Sequence, residues 1–314
     1  MNYYDLSGLS VHKMQIMISA AEHKSFKAAA SYLHVTQSMI SKTIASLESE
    51  LDIQLFIRSQ DGIRLTAAGQ YLYEVWNLQL KGILSSVEKA RQIQSGSVFQ
   101  LRIGSLKSIP TEYYMDDAAR LFGQNNQEVT IQLEQTTLED LFLQLLSGSL
   151  DIIYTESMER DALLAEGCCC ETIIHGFLTV CMHESNPLYQ KEEISILDLK
   201  DEPQILLDRK TAENFNQFIL NTCQAYGFTP IIRAFAPNTH TASQYVRLGT
   251  GVSLVPTFSA TGAKYKNIKK VLLKERIPID LIVAWRSNDT NPFVGRFVRA
   301  HLEYLQRSRT PKIR

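Results

Sequence analysis

The stretch from residue 25 to residue 66 constrains this chain most, because it predicts two short helices joined by a tight turn. Ser25 can cap a first helix that buries Ala29 and Leu33. Thr36 can cap a second helix. Apolar residues recur at helical spacing along one face of that helix, at Ile40, Ile44, Leu47 and Leu51. The pattern predicts a helix-turn-helix, whose second helix enters the major groove of DNA.

The segment that follows predicts a β-hairpin. Residues 55–58 and 63–65 flank Asp61 and Gly62, a dipeptide that favours a tight turn. A hairpin placed after the second helix is a wing, so residues 1–66 are expected to form a winged helix-turn-helix head.

These residues resemble the LysR-type family of bacterial transcriptional regulators. The matching positions are Ser25, Phe26, Ala29, Ala30, Leu33, Val35, Gln37, Ser41, Leu47, Glu48, Glu50, Leu51, Leu55, Phe56, Arg58, Leu65, Thr66, Ala68 and Gly69. The chain departs from the family pattern at Asp52, where Gly is usual, and at Ser38, Met39 and Ile57. Asp tolerates the left-handed backbone that ends such a helix, so the departure leaves the fold intact.

The recognition helix and the wing supply the candidate DNA contacts. Gln37 can pair with an adenine edge, and Lys42 with guanine or phosphate. Arg64 is expected at phosphate or in the minor groove, and Arg58 at the base of the wing. The full set is Lys27, Thr36, Gln37, Ser38, Met39, Ser41, Lys42, Arg58 and Arg64. The alternative is an ordinary polar helix surface.

A long helix is predicted from residue 67 to about residue 94, capped by Thr66. Its apolar residues alternate spacings of four and three, at Trp76, Leu80, Ile83, Val87 and Ala90. That spacing is typical of a coiled-coil seam and predicts a dimerisation helix over residues 67–95. The alternative is packing of the stripe against its own domain.

Strands and helices alternate after residue 96, which predicts an α/β domain with a mostly parallel sheet over residues 96–314. The resemblance implies a two-lobed effector domain similar to periplasmic ligand-binding proteins, with the chain crossing twice. The first lobe is expected at about 98–168 and 265–314, and the second at about 169–264. The phrases that match the family begin at Gly148 and Gly249.

Polar residues at strand ends and helix starts predict an effector site between the lobes. Helix N-termini there favour an anionic small molecule. The candidates are Ser105, Lys107, Ser108, Thr136, Thr137, Arg209, Asn238 and Thr239. The alternative is that the serines and threonines only cap helices and the charged side chains are plain surface.

The five cysteines, Cys168, Cys169, Cys170, Cys181 and Cys223, suggest reduced thiols in a cytoplasmic protein. The LysR-type peroxide sensors use a cysteine pair, so a redox-sensing regulator using Cys170 and Cys181 is the alternative function. Packing of small thiols in a reducing compartment explains the same residues.

Composition and motifs limit the remaining possibilities. The formal net charge is −1, so affinity for DNA must come from one positive face of the head. We find no P-loop, nucleophile elbow or zinc-protease motif, and expect no enzyme activity, cofactor or metal. The remaining alternative is an enzyme with an accessory DNA-binding head. Such a protein would convert its ligand into a product, whereas a sensor returns its ligand unchanged. The expected partners are double-stranded DNA, RNA polymerase and further copies of the chain as a dimer or tetramer, without a membrane.

Overall fold

The computed structural model describes residues 8–59, 62–95, 98–261 and 265–309. The chain divides into two compact units, Met1–Ala90 and Arg91–Arg314. Within the described residues, no helix has both the length and the apolar character needed to cross a membrane. Asp61 of the predicted turn and residues 96–97 after the long helix lie outside the described residues.

The first unit is a winged helix-turn-helix. Three helices, α1 (Val11–His23), α2 (Phe26–Tyr32) and α3 (Gln37–Leu51), precede the hairpin β1 (Phe56–Ser59) and β2 (Gly62–Leu65) and the helix α4 (Ala67–Ser95). The two strands pair antiparallel, with Phe56 opposite Leu65. This order confirms the predicted head.

Side-chain caps start α2 and α4 as the sequence predicts. Ser25 accepts a hydrogen bond from the Ala28 N–H at 3.3 Å, which starts α2. The Thr66 hydroxyl accepts one from the Gly69 N–H at 2.9 Å, which starts α4. A Cβ on Gly69 would lie 2.2 Å from the Leu55 carbonyl oxygen, so only glycine lets α4 begin this close to β1.

The second unit contains two lobes, and the first is built on a five-stranded sheet. The strands are β3 (Phe99–Leu106), β4 (Val129–Thr136), β5 (Ile152–Glu156), β6 (Cys168–Ile174) and β13 (Leu281–Arg286), in the order β4-β3-β5-β13-β6. The first three run parallel, and β13 pairs antiparallel with both of its neighbours. The helices of this part are α5 (Asp116–Asn125), α6 (Leu138–Ser147), α7 (Arg160–Ala165) and α10 (Phe293–Arg309).

The second lobe holds two smaller sheets. One has the order β11-β7-β12-β8, from β7 (Leu178–His183), β8 (Glu193–Ile194), β11 (Ser253–Pro256) and β12 (Ile268–Leu273). The other pairs β9 (Pro203–Leu207) with β10 (Ile231–Ala236) in parallel. Helices α8 (Arg209–Ala225) and α9 (Thr239–Arg247) complete this lobe. Each lobe has its own apolar core, as the two-lobed prediction requires.

The boundaries that the sequence predicted between the lobes were wrong. β6 pairs with β13 from Cys168 to Ile174, so these residues belong to the first lobe. β12 pairs with β7 from Ile268 to Leu272, so this strand belongs to the second lobe and not to the first. Backbone pairing, which the sequence pattern did not show, decides the membership of both strands.

The chain therefore crosses between lobes near residue 176 and near residue 278. The two crossing segments lie side by side, because the Ile279 N–H donates to the Gly176 carbonyl at 3.0 Å and the Leu178 N–H to the Ile277 carbonyl at 2.9 Å. A Cβ on Gly176 would lie 2.7 Å from the Ile279 carbonyl oxygen and 2.7 Å from the Phe258 ring. Glycine thus permits the close approach of the two crossings.

Candidate DNA interface and ligand cavity

The helix α3 presents a polar face that its caps and its buried face hold in place. Thr36 accepts a hydrogen bond from the Met39 N–H at 3.2 Å, and Asp52 ends the helix in the left-handed region at φ 54°. Ile40, Ile44 and Leu47 are fully buried in the head core. Four of the predicted DNA contacts remain exposed at the other side of the helix, namely Gln37, Ser38, Met39 and Lys42.

The wing is fixed to α3 by one carboxylate and one guanidinium group. Glu48 accepts hydrogen bonds from the Leu55 and Phe56 N–H groups at 2.7 and 3.0 Å. Arg58 lies over the Phe26 ring, 5.2 Å from its centre, and donates to the Ser41 hydroxyl at 3.4 Å. Arg58 therefore occupies the base of the wing, where the sequence placed it.

The remaining predicted DNA contacts fall into two groups: exposed cations, and hydroxyl groups that already have a hydrogen-bond partner within the head. Lys27 in the first turn of α2 and Arg64 on β2 are exposed. Thr36 and Ser41 each have a partner within the head, so a structural role accounts for both hydroxyls. Among the predicted DNA contacts, Lys27, Lys42 and Arg64 are thus exposed cations on three elements of the head, and Arg58 is a fourth that bonds to Ser41.

The apolar stripe of α4 divides into two parts. Trp76 is buried, and Leu80 packs against the core of the head. The N-terminal part of the stripe therefore packs against its own domain, as the alternative interpretation predicts. Beyond it, Ile83 is 44% exposed, Leu84 61% and Val87 44%. A single copy of the chain leaves this second part uncovered by the residues described.

A cavity of about 120 Å³ lies between the lobes of the second unit. Strand ends of both lobes and the first turns of three helices surround it. Its wall consists of Leu106, Lys107, Ser108, Thr136, Thr137, Leu138, Glu156, Ile205, Leu206, Leu207, Ala212, Phe215, Pro237, Asn238, Thr239, Ala242, Ser253, Leu254, Val255, Pro256, Ser259 and Thr261. Apolar side chains predominate in this wall, as is usual for a small-molecule site.

Six of the eight residues predicted to bind an effector line this cavity: Lys107, Ser108, Thr136, Thr137, Asn238 and Thr239. Ser105 does not line it, because its side chain is 2% exposed and faces the Tyr114 hydroxyl inside the first lobe. The Arg209 side chain lies outside the described residues, although its backbone begins α8.

The side chains of Thr136, Thr137 and Asn238 already make hydrogen bonds within the chain. Thr136 and Thr137 both donate to the Asp140 carboxylate at 2.9 Å, and Thr137 also accepts from the Asp140 N–H at 3.3 Å. Asn238 accepts from the Thr241 N–H at 2.9 Å and caps α9. The capping alternative therefore holds for Thr137 and Asn238, and Asp140 supplies a negative charge at the start of α6.

Sequence reasoning missed Glu156, the acidic residue of the cavity wall. It ends β5 and is 6% exposed. Burial, with a smaller contribution from the nearby Glu159 carboxylate, raises the pKa of Glu156 to about 8. The signal was an acidic residue two positions after the apolar residues Ile152, Ile153 and Tyr154.

The cysteine thiols are free, and burial raises the pKa of four of them. The pKa of Cys170 rises to about 11 and that of Cys181 to about 12. Because the thiolate is the reactive form, these environments disfavour thiol chemistry. The two residues also lie on β6 and β7, which belong to different sheets. No group of three metal-binding side chains occurs among the described residues.

Comparison with known proteins accounts for both units. Residues 11–70 match the family model described as a bacterial regulatory helix-turn-helix protein of the lysR family, and residues 95–306 match the LysR substrate binding domain. The chain therefore belongs to the LysR family of bacterial transcriptional regulators: it is a DNA-binding regulator with an effector-binding domain, and no enzyme.

Individual relatives are distant but cover nearly the whole chain. The transcriptional regulator AlsR of Bacillus subtilis is 26% identical over 307 residues, which span 96% of this chain and 98% of that protein. YnfL of Escherichia coli, an uncharacterised regulator, is 23% identical over 94% of this chain and 98% of its own length. The crystal structure of CbnR, a LysR family regulator, shares the fold with a TM-score of 0.65 and 21% identity, covering 94% of this chain and 99% of that one.

Proposed function

We propose that this regulator reads DNA through the exposed N-terminal half of α3 and changes its DNA binding when a small molecule occupies the cavity of its second unit. The observation that carries the proposal is the polar face formed by Gln37, Ser38 and Lys42 on a helix whose other face is fixed in the core. A fixed helix can place side chains against base edges, whereas a mobile one would lose that register.

Gln37 reads a base, and the cations position the head on the phosphates. Gln37 is the first residue of α3, the end of a recognition helix that enters the groove. Lys27, Lys42 and Arg64 are exposed around it and neutralise phosphate charge. Arg58 and Ser41 hold the wing against α3 and contribute to DNA binding by placing Arg64.

The small molecule acts by changing the arrangement of the lobes. The cavity wall takes residues from both lobes, such as Thr136 from the first and Val255 from the second. A ligand there stabilises one relative placement of the lobes, and by linkage the ligand and the DNA alter each other's affinity by the same factor. The response then reaches RNA polymerase at the promoter in the cytoplasm.

A redox-sensing mechanism is the second candidate that the sequence left open. Several solved relatives in fold are described as OxyR, one with a TM-score of 0.53 and 20% identity over 95% of this chain. The raised pKa values of Cys170 and Cys181 favour the ligand mechanism over a thiol switch.

The test is the affinity of the full-length chain for a duplex that it selects from a random pool. Gln37→Ala should cost about 1–3 kcal/mol on the selected duplex and relax the base preference at the contacted position. Lys42→Ala should weaken binding to selected and unrelated DNA alike, because it removes a phosphate contact.

Gln217→Ala is the matched control, since Gln217 is an exposed glutamine on α8 that bonds only to the neighbouring Asn221 in the described structure. It should bind like the wild type. Binding by folded Gln37→Ala that equals the control on selected and unrelated DNA would refute the assignment of α3 as the reading helix.

A further inference from the structure

A buried carboxyl group without a partner forms part of the cavity wall. Glu156 lines the cavity, and its carboxyl makes no hydrogen bond or ion pair with the residues that the structure describes. Burying a carboxylate without a partner is costly, so such a group needs a proton or a ligand. We propose that the cavity binds a small, largely apolar amine, whose protonated nitrogen donates hydrogen bonds to Glu156. The inference rests on the function proposed above and names its ligand class.

The rest of the wall fits an apolar body. Leu206, Phe215 and Val255 are buried residues that contribute apolar surface to the cavity. An alkyl chain transferred from water to this surface gains about 0.8 kcal/mol per buried methylene group. The ammonium group carries three donors, which suits the two oxygens of a carboxylate. Glu156 thus sets the charge of the ligand, and the apolar wall sets its bulk.

The charged groups around Glu156 favour a cation over an anion. Glu159, which follows β5, is 4% exposed and accepts hydrogen bonds from Asn214 of α8 at 2.9 and 3.0 Å. Asp140 of α6 holds the two cavity threonines. The Lys107 and His240 side chains, after β3 and on α9, are exposed to solvent, which screens charged groups. Asp140 is exposed, and the half-buried Lys270 of β12 donates to the carbonyls of Thr257 and the wall residue Ser259. Of the titratable groups named here, the buried ones are Glu156 and Glu159, both acidic, which opposes the anionic effector that the sequence favoured.

The protonation of Glu156 gives the amine a distinctive pH dependence. With its pKa raised to about 8, Glu156 is mostly protonated near neutral pH in the empty cavity. An ammonium ligand binds the carboxylate, so the carboxyl proton leaves to the buffer while the ligand keeps its own. Amine affinity should therefore rise up to about tenfold per pH unit below pH 8. A ligand that accepts a hydrogen bond from the protonated acid would show the opposite trend.

The experiment is calorimetric titration of the full-length chain with isopentylamine, isopentanol and isovalerate, which share one branched carbon skeleton. Between about pH 6 and pH 8, isopentylamine should bind tightest of the three, gain affinity with pH and release a proton. Glu156→Gln should weaken amine binding at least about tenfold and abolish the pH dependence, while isopentanol binding changes little.

Glu159→Gln is the matched control, since Glu159 is a buried acid beside Glu156 that does not line the cavity. It should weaken amine binding less than Glu156→Gln does. An equal loss of amine affinity in the two variants would mean that the effect comes from the general electrostatic field of the buried acids. That result would refute a contact between the amine and Glu156.

Three further results would overturn the proposal: isovalerate binding tighter than isopentylamine, amine affinity that falls as pH rises, or no binding of any probe. The wild-type pH series decides these even if Glu156→Gln fails to fold. A wild-type chain that binds the probes but selects no DNA would instead contradict the proposed function.

Discussion

Two glutamates show how the partners of a carboxyl group decide its role. Glu48 accepts hydrogen bonds from two backbone N–H groups at its Oε1 atom and so joins α3 to the wing. Glu156 has an equivalent group at the cavity wall without such bonds in the described structure. The first is a structural group, and the second is available to a ligand.

The raised pKa of Glu156 predicts how the stability of the empty protein depends on pH. The unfolded carboxyl titrates near its ordinary value of 4.5, and the folded one near 8. The folded state therefore binds more protons between these values. The free energy of unfolding should fall as pH rises through that window, by at most about 1.4 kcal/mol per unit from this group.

The measurement is urea unfolding of the wild type and Glu156→Gln between about pH 5 and pH 8. Glu159, whose pKa burial also raises, contributes a fall of the same sign in both proteins. The wild type should therefore lose more stability across the series than the variant. Parallel curves would mean that Glu156 titrates normally in the folded protein.

At the scale of elements, the sequence predicts the starts of helices more reliably than the lobe to which a strand belongs. The caps at Ser25, Thr36 and Thr66 were predicted because each depends on a few adjacent residues. The lobe membership of β6 was predicted wrongly, because Cys168–Ile174 pairs with β13, which lies more than 100 residues later in the chain. Propensity and periodicity depend on neighbouring residues, so they cannot predict a pairing between strands that are so far apart in the sequence.

Helix α4 combines two alternatives that the sequence treated as exclusive. Trp76 and Leu80 complete the core of the head, whereas Ile83, Leu84 and Val87 remain exposed. The uncovered part is the candidate surface for self-association, since exposed apolar side chains at this spacing are those that a second helix would cover. We therefore expect a dimer seam that is shorter than the full stripe that the sequence predicts.

Charges placed on this uncovered part should prevent self-association. Ile83→Glu with Val87→Glu buries repelling carboxylates in any paired helix, so sedimentation should show a monomer with greatly weakened DNA binding. Lys81→Glu, an exposed change on the opposite side of α4, is the control and should keep the wild-type association state. If the double variant sediments like the control, α4 is not the association surface.

At the scale of the whole molecule, the fold class could be predicted from the sequence, whereas the buried carboxyl group in the cavity wall could not. The head could be predicted because its contacts are local, and the family resemblance extended the outline over the second unit. The cavity depends on residues far apart, such as Glu156 and Phe215, which only folding brings together. Their combined polarity is therefore visible in the structure alone.

The central claim, that α3 reads DNA, extends to a symmetric pair, because two copies of the chain that associate through α4 would present two α3 helices to one duplex. The most direct measurement is sequencing of duplexes that the full-length chain selects from a random pool. The claim predicts an inverted repeat whose half-sites are centred about one helical turn, or a whole number of turns, apart. It also predicts that Gln37→Ala flattens the preference at the same position in both half-sites. Enrichment of no sequence, or of a single half-site without its symmetric partner, would contradict it.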